Sequence, residues 1–226
     1  MELRIVVGPS GSGKRTRLSI LQDLYGFMTI TGVHPRRLVQ LVQRLRDIQG
    51  PTLRLAIDIP AIPFDADALS TSYDSYAEEC IQSFLAVKQL PDCDLMIIFQ
   101  YCGQTELARR LTFGAHPLIH TVGDTPAAIF AECDVQVQLF ARLCAKYDNG
   151  ELSGRELLFS DRTGKSAEQL REEISQRRYL RRPRPVASTS PGDFQQLRAG
   201  IEKEIAALLV AREHRESRGF AQRTEA

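Results

Sequence analysis

The residues with the clearest chemistry lie at the start of the chain. Gly8-Pro9-Ser10-Gly11-Ser12-Gly13-Lys14 follows the apolar run Leu3-Arg4-Ile5-Val6-Val7, and Arg15 and Thr16 come next. The spacing, a glycine, four residues, then Gly-Lys, is that of a phosphate-binding loop between a strand and a helix. Gly8, Gly11 and Gly13 can adopt backbone angles closed to other residues, so successive N–H groups can converge on phosphate oxygens. A helix beginning near Gly13 turns its positive end toward the same anion, and Lys14 adds a mobile charge for the outer phosphates. Every residue from Gly8 to Thr16 is therefore a candidate nucleotide-binding position, with ATP or GTP as the expected ligand.

Loops of this kind hold Mg²⁺ with the hydroxyl that follows the lysine and with an aspartate ending a neighbouring apolar strand. Asp58 closes Leu53-Arg54-Leu55-Ala56-Ile57 and is the candidate carboxylate, also counted with the nucleotide-binding set. The run Leu95–Phe99 ends in Gln100-Tyr101-Cys102 and offers none. Arg15 stands where the hydroxyl usually stands, and Thr16 lies one step further, about 100° round the helix. Thr16 and Asp58 are thus the candidate Mg²⁺ ligands. Arg15 either reaches a phosphate itself or faces solvent, and the sequence leaves both open. A second metal set from Cys102, His116 and His120 is conceivable; structural cysteines and loop histidines are the plainer reading.

These residues need elements to hold them. Strand 2–7 leads into a helix over 13–25, a short extended piece over 27–31, and a helix opened by Pro35. That helix carries Leu38, Leu41, Val42, Leu45 and Ile48 as one apolar stripe. A strand over 53–57, a helix over 66–89 and the apolar strand 95–99 follow, then helices over 104–111 and 125–147. The strand 156–160 and a helix over 166–180, with Ser166 and Gln169 spaced as a capping box, complete the alternation. Strands alternating with helices predict a P-loop NTPase-like three-layer α/β/α fold with a mostly parallel sheet. Its ligands bind outside the carboxyl ends of the strands, where Gly8, Asp58 and Asp161 fall.

The expected organisation is a nucleotide-binding domain over 1–181, a basic then Pro/Ser-rich linker over 182–192, and a helix with a polar tail over 193–226. The last helix carries Phe194, Leu197, Ile201, Ile205 and Leu208 at helical spacing, a stripe suited to burial on the domain, on a second copy or on a protein partner. The arginines from Arg177 to Arg184 either touch phosphates or RNA, or form a solvated helix end. A net charge of +1 over 226 residues gives no global basic field for nucleic acid. No apolar run has the length of a membrane span and no signal-peptide layout opens the chain. The five cysteines form no C-x-x-C pair, which fits reduced, core-filling thiols in a cytoplasmic protein.

The order of segments resembles the nucleotide-binding domain of the RapZ family, bacterial P-loop proteins that include RNase adapters. The likeness rests on Met1 to Lys14, Leu21-Gln22-Asp23-Leu24-Tyr25-Gly26-Phe27, Ala56-Ile57-Asp58-Ile59, and Leu95–Phe99 with Glu106-Leu107-Ala108-Arg109-Arg110. It continues with His116-Pro117-Leu118, Leu157–Asp161 and Ser166-Ala167-Glu168-Gln169-Leu170, and covers about residues 1–180. It implies the fold and a phosphate pocket. The departures bear on chemistry. The family has Ser where this chain has Arg15, an Asp-Asn pair where this chain has Thr29 to Pro35, and Arg where this chain has Pro60. It also has paired arginines where Phe113-Gly114-Ala115 precede His116. In the RNase adapters the family continues into a C-terminal domain that binds small RNAs and an amino-sugar phosphate. Here a linker and one helix occupy that place, so RNA is not an expected partner.

The favoured reading is a nucleotide-binding regulatory or adapter protein with weak or no hydrolysis, since several polar groups that serve phosphoryl transfer are replaced. A kinase or NTPase is the alternative, with Lys14 on the transferred phosphate, Thr16 and Asp58 at Mg²⁺, and Arg109, Arg110 or His116 closing over the phosphates. A third reading is a degenerate P-loop domain that serves only in protein interaction.

Overall fold

The computed structural model describes residues 1–9, 11–60, 73–103, 106 and 138–179. The chain divides into two compact units, Met1–Ser188 and Thr189–Ala226, and all described residues lie in the first. The linker, the helix expected over 193–212, Arg109, Arg110, His116, His120, Cys133 and Ser10 lie outside the described residues.

The elements are β1 (Glu2–Val7), α1 (Lys14–Tyr25), β2 (Met28–Ile30), α2 (Pro35–Gln49), β3 (Arg54–Ile59) and α3 (Tyr73–Lys88). They continue with β4 (Asp94–Tyr101), the helix α4 described over 138–148, β5 (Leu157–Asp161) and α5 (Ala167–Tyr179). The strands form one parallel sheet in the order β2-β3-β1-β4-β5. Parallel neighbours require crossover connections, which place helices on the faces. Strands covered on both faces lose the alternating pattern, so β1 buries Leu3 to Val7 in a row.

The register sorts the side chains into two faces. Val6 pairs with Asp58 and with Ile98, and Gln100 pairs with Ser160, so these five positions and Ala56 point to one side. On that side Val6, Ala56 and Ile98 pack with Leu18, Ile20 and Leu21 of α1 and with Leu170 and Ile174 of α5. On the other side Phe99 and Phe159 meet Phe140 of α4 at ring distances of 5.8 and 5.2 Å. The result is the expected three-layer α/β/α fold around a parallel sheet.

Local signals act as read. Pro35 opens α2, with His34 as the N-cap accepting from the Arg36 amide. Ser166 and Gln169 exchange the two bonds of the capping box at 2.8 and 3.2 Å. Cys80, Cys102 and Cys144 are buried and unbridged, with Cys93 half-buried.

Several boundaries are corrected. β4 runs on through Gln100 and Tyr101, because β5 continues to pair with it there. β3 extends to Ile59, so Asp58 is its penultimate residue, and β5 takes in Asp161. Ile48 leaves the predicted stripe and is 74% exposed, next to the last residue of α2. Among the described residues no helix is long and apolar enough to cross a membrane.

Candidate functional site

The loop after β1 is shaped by close approach and by left-handed backbone. A Cβ on Gly8 would overlap the carbonyl of Gln100 on the neighbouring strand, so only glycine fits. Gly11 and Gly13 have φ of 76° and 86°. Gly13 is the N-cap of α1 and supplies no side-chain acceptor to its first amides. Those donors and the positive end of the helix face the loop, and a phosphate suits them as a cap. The Lys14 ammonium is folded into the same concavity and donates to the carbonyls of Gly8 at 2.8 Å and Pro9 at 3.0 Å. It is almost fully buried. The Ser12 hydroxyl is also buried, stands beside Gly8, and has no hydrogen-bond partner among the described residues.

The helical period decides what α1 contributes. Lys14, Arg17, Leu18 and Leu21 all turn inward at i, i+3, i+4 and i+7. Arg15 therefore faces solvent and Thr16 is half-buried. Arg17 was not a candidate in the sequence, yet the residue is 2% exposed. Its Nε donates to Gln100 Oε1 at 2.7 Å and its Nη2 to the Ser160 hydroxyl. The Gln100 amide in turn donates to the Ser12 carbonyl of the loop. One buried polar chain thus ties the loop to the carboxyl ends of β4 and β5. The signal for Arg17 was present in its spacing from Lys14 and Leu21; that for Gln100 and Ser160 was only their place after apolar runs.

Arg162 is a second residue the sequence reading passed over. It is 4% exposed, follows β5, and donates from Nη1 to the Ser166 carbonyl at 2.9 Å. Its Nε and Nη2 stand 3.4 and 3.5 Å from where a Cβ on Gly13 would lie, against the loop. Asp161 beside it turns away and accepts the Thr163 amide at 2.8 Å.

Asp58 lies on the α1 side of the sheet, next to Val6. Its Oδ1 accepts the amide of Gly32, and its carbonyl accepts that of Val33 at 3.2 Å. It therefore pins the β2–α2 turn to the end of β3. A carboxylate here and the Thr16 hydroxyl on α1 are oxygen donors of the kind Mg²⁺ takes, with one Asp58 oxygen already shared with Gly32. Among the described residues no three His, Cys, Asp or Glu side chains gather as a metal cluster. Arg109, Arg110 and His116 fall outside the described residues, so their relation to the loop is not part of this geometry.

No family model matches the chain. The chain is similar to curated bacterial proteins named nucleotide-binding protein. One from Tolumonas auensis is 28% identical over 174 residues, 77% of this chain and 54% of that protein. One from Psychromonas ingrahamii is 28% identical over 155 residues, 68% and 50% of the two chains. One from Cereibacter sphaeroides is 27% identical over 158 residues, 69% and 47%. The chain spans about half the length of the curated relatives it matches. Among solved structures, a deoxyadenosine kinase from M. mycoides aligns at TM-score 0.47 and 10% identity, covering 79% of this chain and 100% of that one. A shikimate kinase from Acinetobacter baumannii aligns at TM-score 0.45 and 12% identity, covering 80% and 95%. The naming of the curated relatives is that of the RapZ family, in agreement with the resemblance of this chain to the N-terminal domain of that family.

Proposed function

We propose that this chain is a P-loop nucleotide-binding protein of regulatory or adapter type, with weak or no hydrolysis. The observation that carries the reading is the buried Lys14 ammonium inside a glycine loop at the uncapped start of α1. ATP or GTP would place its phosphates against the amides from Gly11 to Thr16, with Lys14 leaving the Gly8 and Pro9 carbonyls to meet them. Arg162 stands where it would add a second charge beside Gly13. Thr16 and Asp58 would hold Mg²⁺, which when bound neutralises and orients the outer phosphates. Asp58 would do so while keeping the Gly32 amide, and Arg15 replaces the hydroxyl that normally ligates the ion. Both features weaken phosphoryl transfer more than they weaken binding.

The domain over 1–181 would carry the site, and the helix over 193–212 would dock a protein partner or a second copy. Arg109, Arg110 and His116 would matter only if phosphoryl transfer occurs. Calorimetry with ATP, GTP and their diphosphates, with and without Mg²⁺, tests the reading. Binding that weakens at least about tenfold in Lys14→Ala is expected. No binding at millimolar nucleotide overturns it. Steady hydrolysis that disappears in Asp58→Ala replaces the adapter reading with an enzymatic one.

A further inference from the structure

A cleft of about 580 Å³ opens at the carboxyl edge of the sheet, apart from the phosphate loop. Arg37, Gln40, Leu41 and Arg44 of α2 line one wall, and Gly32 and Pro60 the other. Its volume falls in the range of small-molecule sites, roughly 300–1,000 Å³. The wall residues on α2 recur at i, i+3, i+4 and i+7, so they form one face, and the two guanidinium stems are about 10 Å apart along the axis. Some long cations of this domain are matched to carboxylates, as in Arg36 with Glu79, Arg54 with Glu2, and Lys146 with Glu151. Arg37 and Arg44 meet no carboxylate at ion-pair distance among the described residues. Two arginines at either end of a concave wall, an amide between them and Leu41 and Pro60 as apolar surface make a receptor for a molecule charged at both ends.

We propose that this cleft binds a small two-ended anion, with a phosphate or carboxylate on each of Arg37 and Arg44. The site is separate from the phosphate loop but joined to it. Gly32 in the cleft wall donates to Asp58, and Asp58 lies on the strand beside Val6, two residues before Gly8. The proposal goes beyond nucleotide binding and does not depend on it.

Fructose 1,6-bisphosphate serves as the two-ended probe and inorganic phosphate as the one-ended comparison, titrated by calorimetry into the full chain at low ionic strength. The bisphosphate is expected to bind at least about tenfold more tightly than phosphate, and Arg37→Ala and Arg44→Ala each to weaken it about fivefold or more. Both arginines are exposed, so these variants keep the fold. The binding that depends on Arg37 and Arg44 should persist in the Lys14→Ala background, whether or not the loop binds nucleotide, so the two readings fail separately. No binding of the bisphosphate up to about 10 mM overturns the proposal, as does binding lost in Lys14→Ala and kept in the arginine variants.

Discussion

Arg17 Nε donates to Gln100 Oε1 at 2.7 Å, beneath the phosphate loop and wholly inside the protein. The same Gln100 donates to the Ser12 carbonyl, so one amide joins α1, β4 and the loop. Replacing it with leucine takes the Gln100 partner from a buried guanidinium N–H and from a loop carbonyl. Gln100→Leu should cost about 1–3 kcal/mol of stability and lower nucleotide affinity with Lys14 untouched. Denaturant melts and titrations check this; a variant as stable as the parent would show that the amide contributes no stability.

Gly8 is held against the backbone of β4 rather than against a movable side chain. Gly8→Ala must therefore push two strands apart at the loop. The expected cost is about 1–3 kcal/mol, as for other overpacked sites, together with loss of nucleotide binding. A Gly8→Ala protein with unchanged melting temperature would mean that β1 and β4 separate easily at this end.

Arg162 is the test of whether the loop has a second cation. Arg162→Ala should weaken ADP by about tenfold, or about 1.4 kcal/mol. Equal affinity of variant and parent would confine Arg162 to fixing the turn at Ser166.

Glu156 gives a pH dependence remote from the site. Burial pushes its carboxyl up, but the Ser153 amide and hydroxyl and the Lys88 ammonium outweigh this and hold it below the usual glutamate range. A lowered pKa contributes stability above the unfolded value of about 4.3 and loses it as the pH falls through the folded value. Glu156→Gln should be less stable than the parent at pH 7, and the gap should close as acid protonates the parent. A gap that stays constant to pH 3 would refute the assignment.

Thiol reactivity should separate the described cysteines. Burial raises the Cys80 thiol far above its ordinary range and raises Cys93 less, and Cys93 is half-buried. Iodoacetamide at pH 8 with peptide mapping should label Cys93 before Cys80, Cys102 and Cys144. Early labelling of Cys80 would indicate that α3 opens locally.

The sequence by itself determined the loop, its strand and helix, and the parallel three-layer architecture. Glycine spacing, a lysine and apolar runs are local signals, and each states a backbone requirement that does not depend on distant residues. It also placed Asp58 near the end of its strand and the capping box at Ser166 and Gln169. Tertiary structure decided everything that depends on strand register and helix phase. Only the pairing of β4 with β1 shows that Gln100 lies against Gly8, and only the phase of α1 turns Arg17 in and Arg15 out. The engagement of Asp58 with Gly32 is of the same kind, a contact between residues 26 apart in the chain. Arg37 and Arg44 of α2 likewise line a cleft only because the fold brings Gly32 and Pro60 opposite them. A residue type announces what chemistry it can do, but which neighbours it meets is set by long-range packing, which local spacing does not encode.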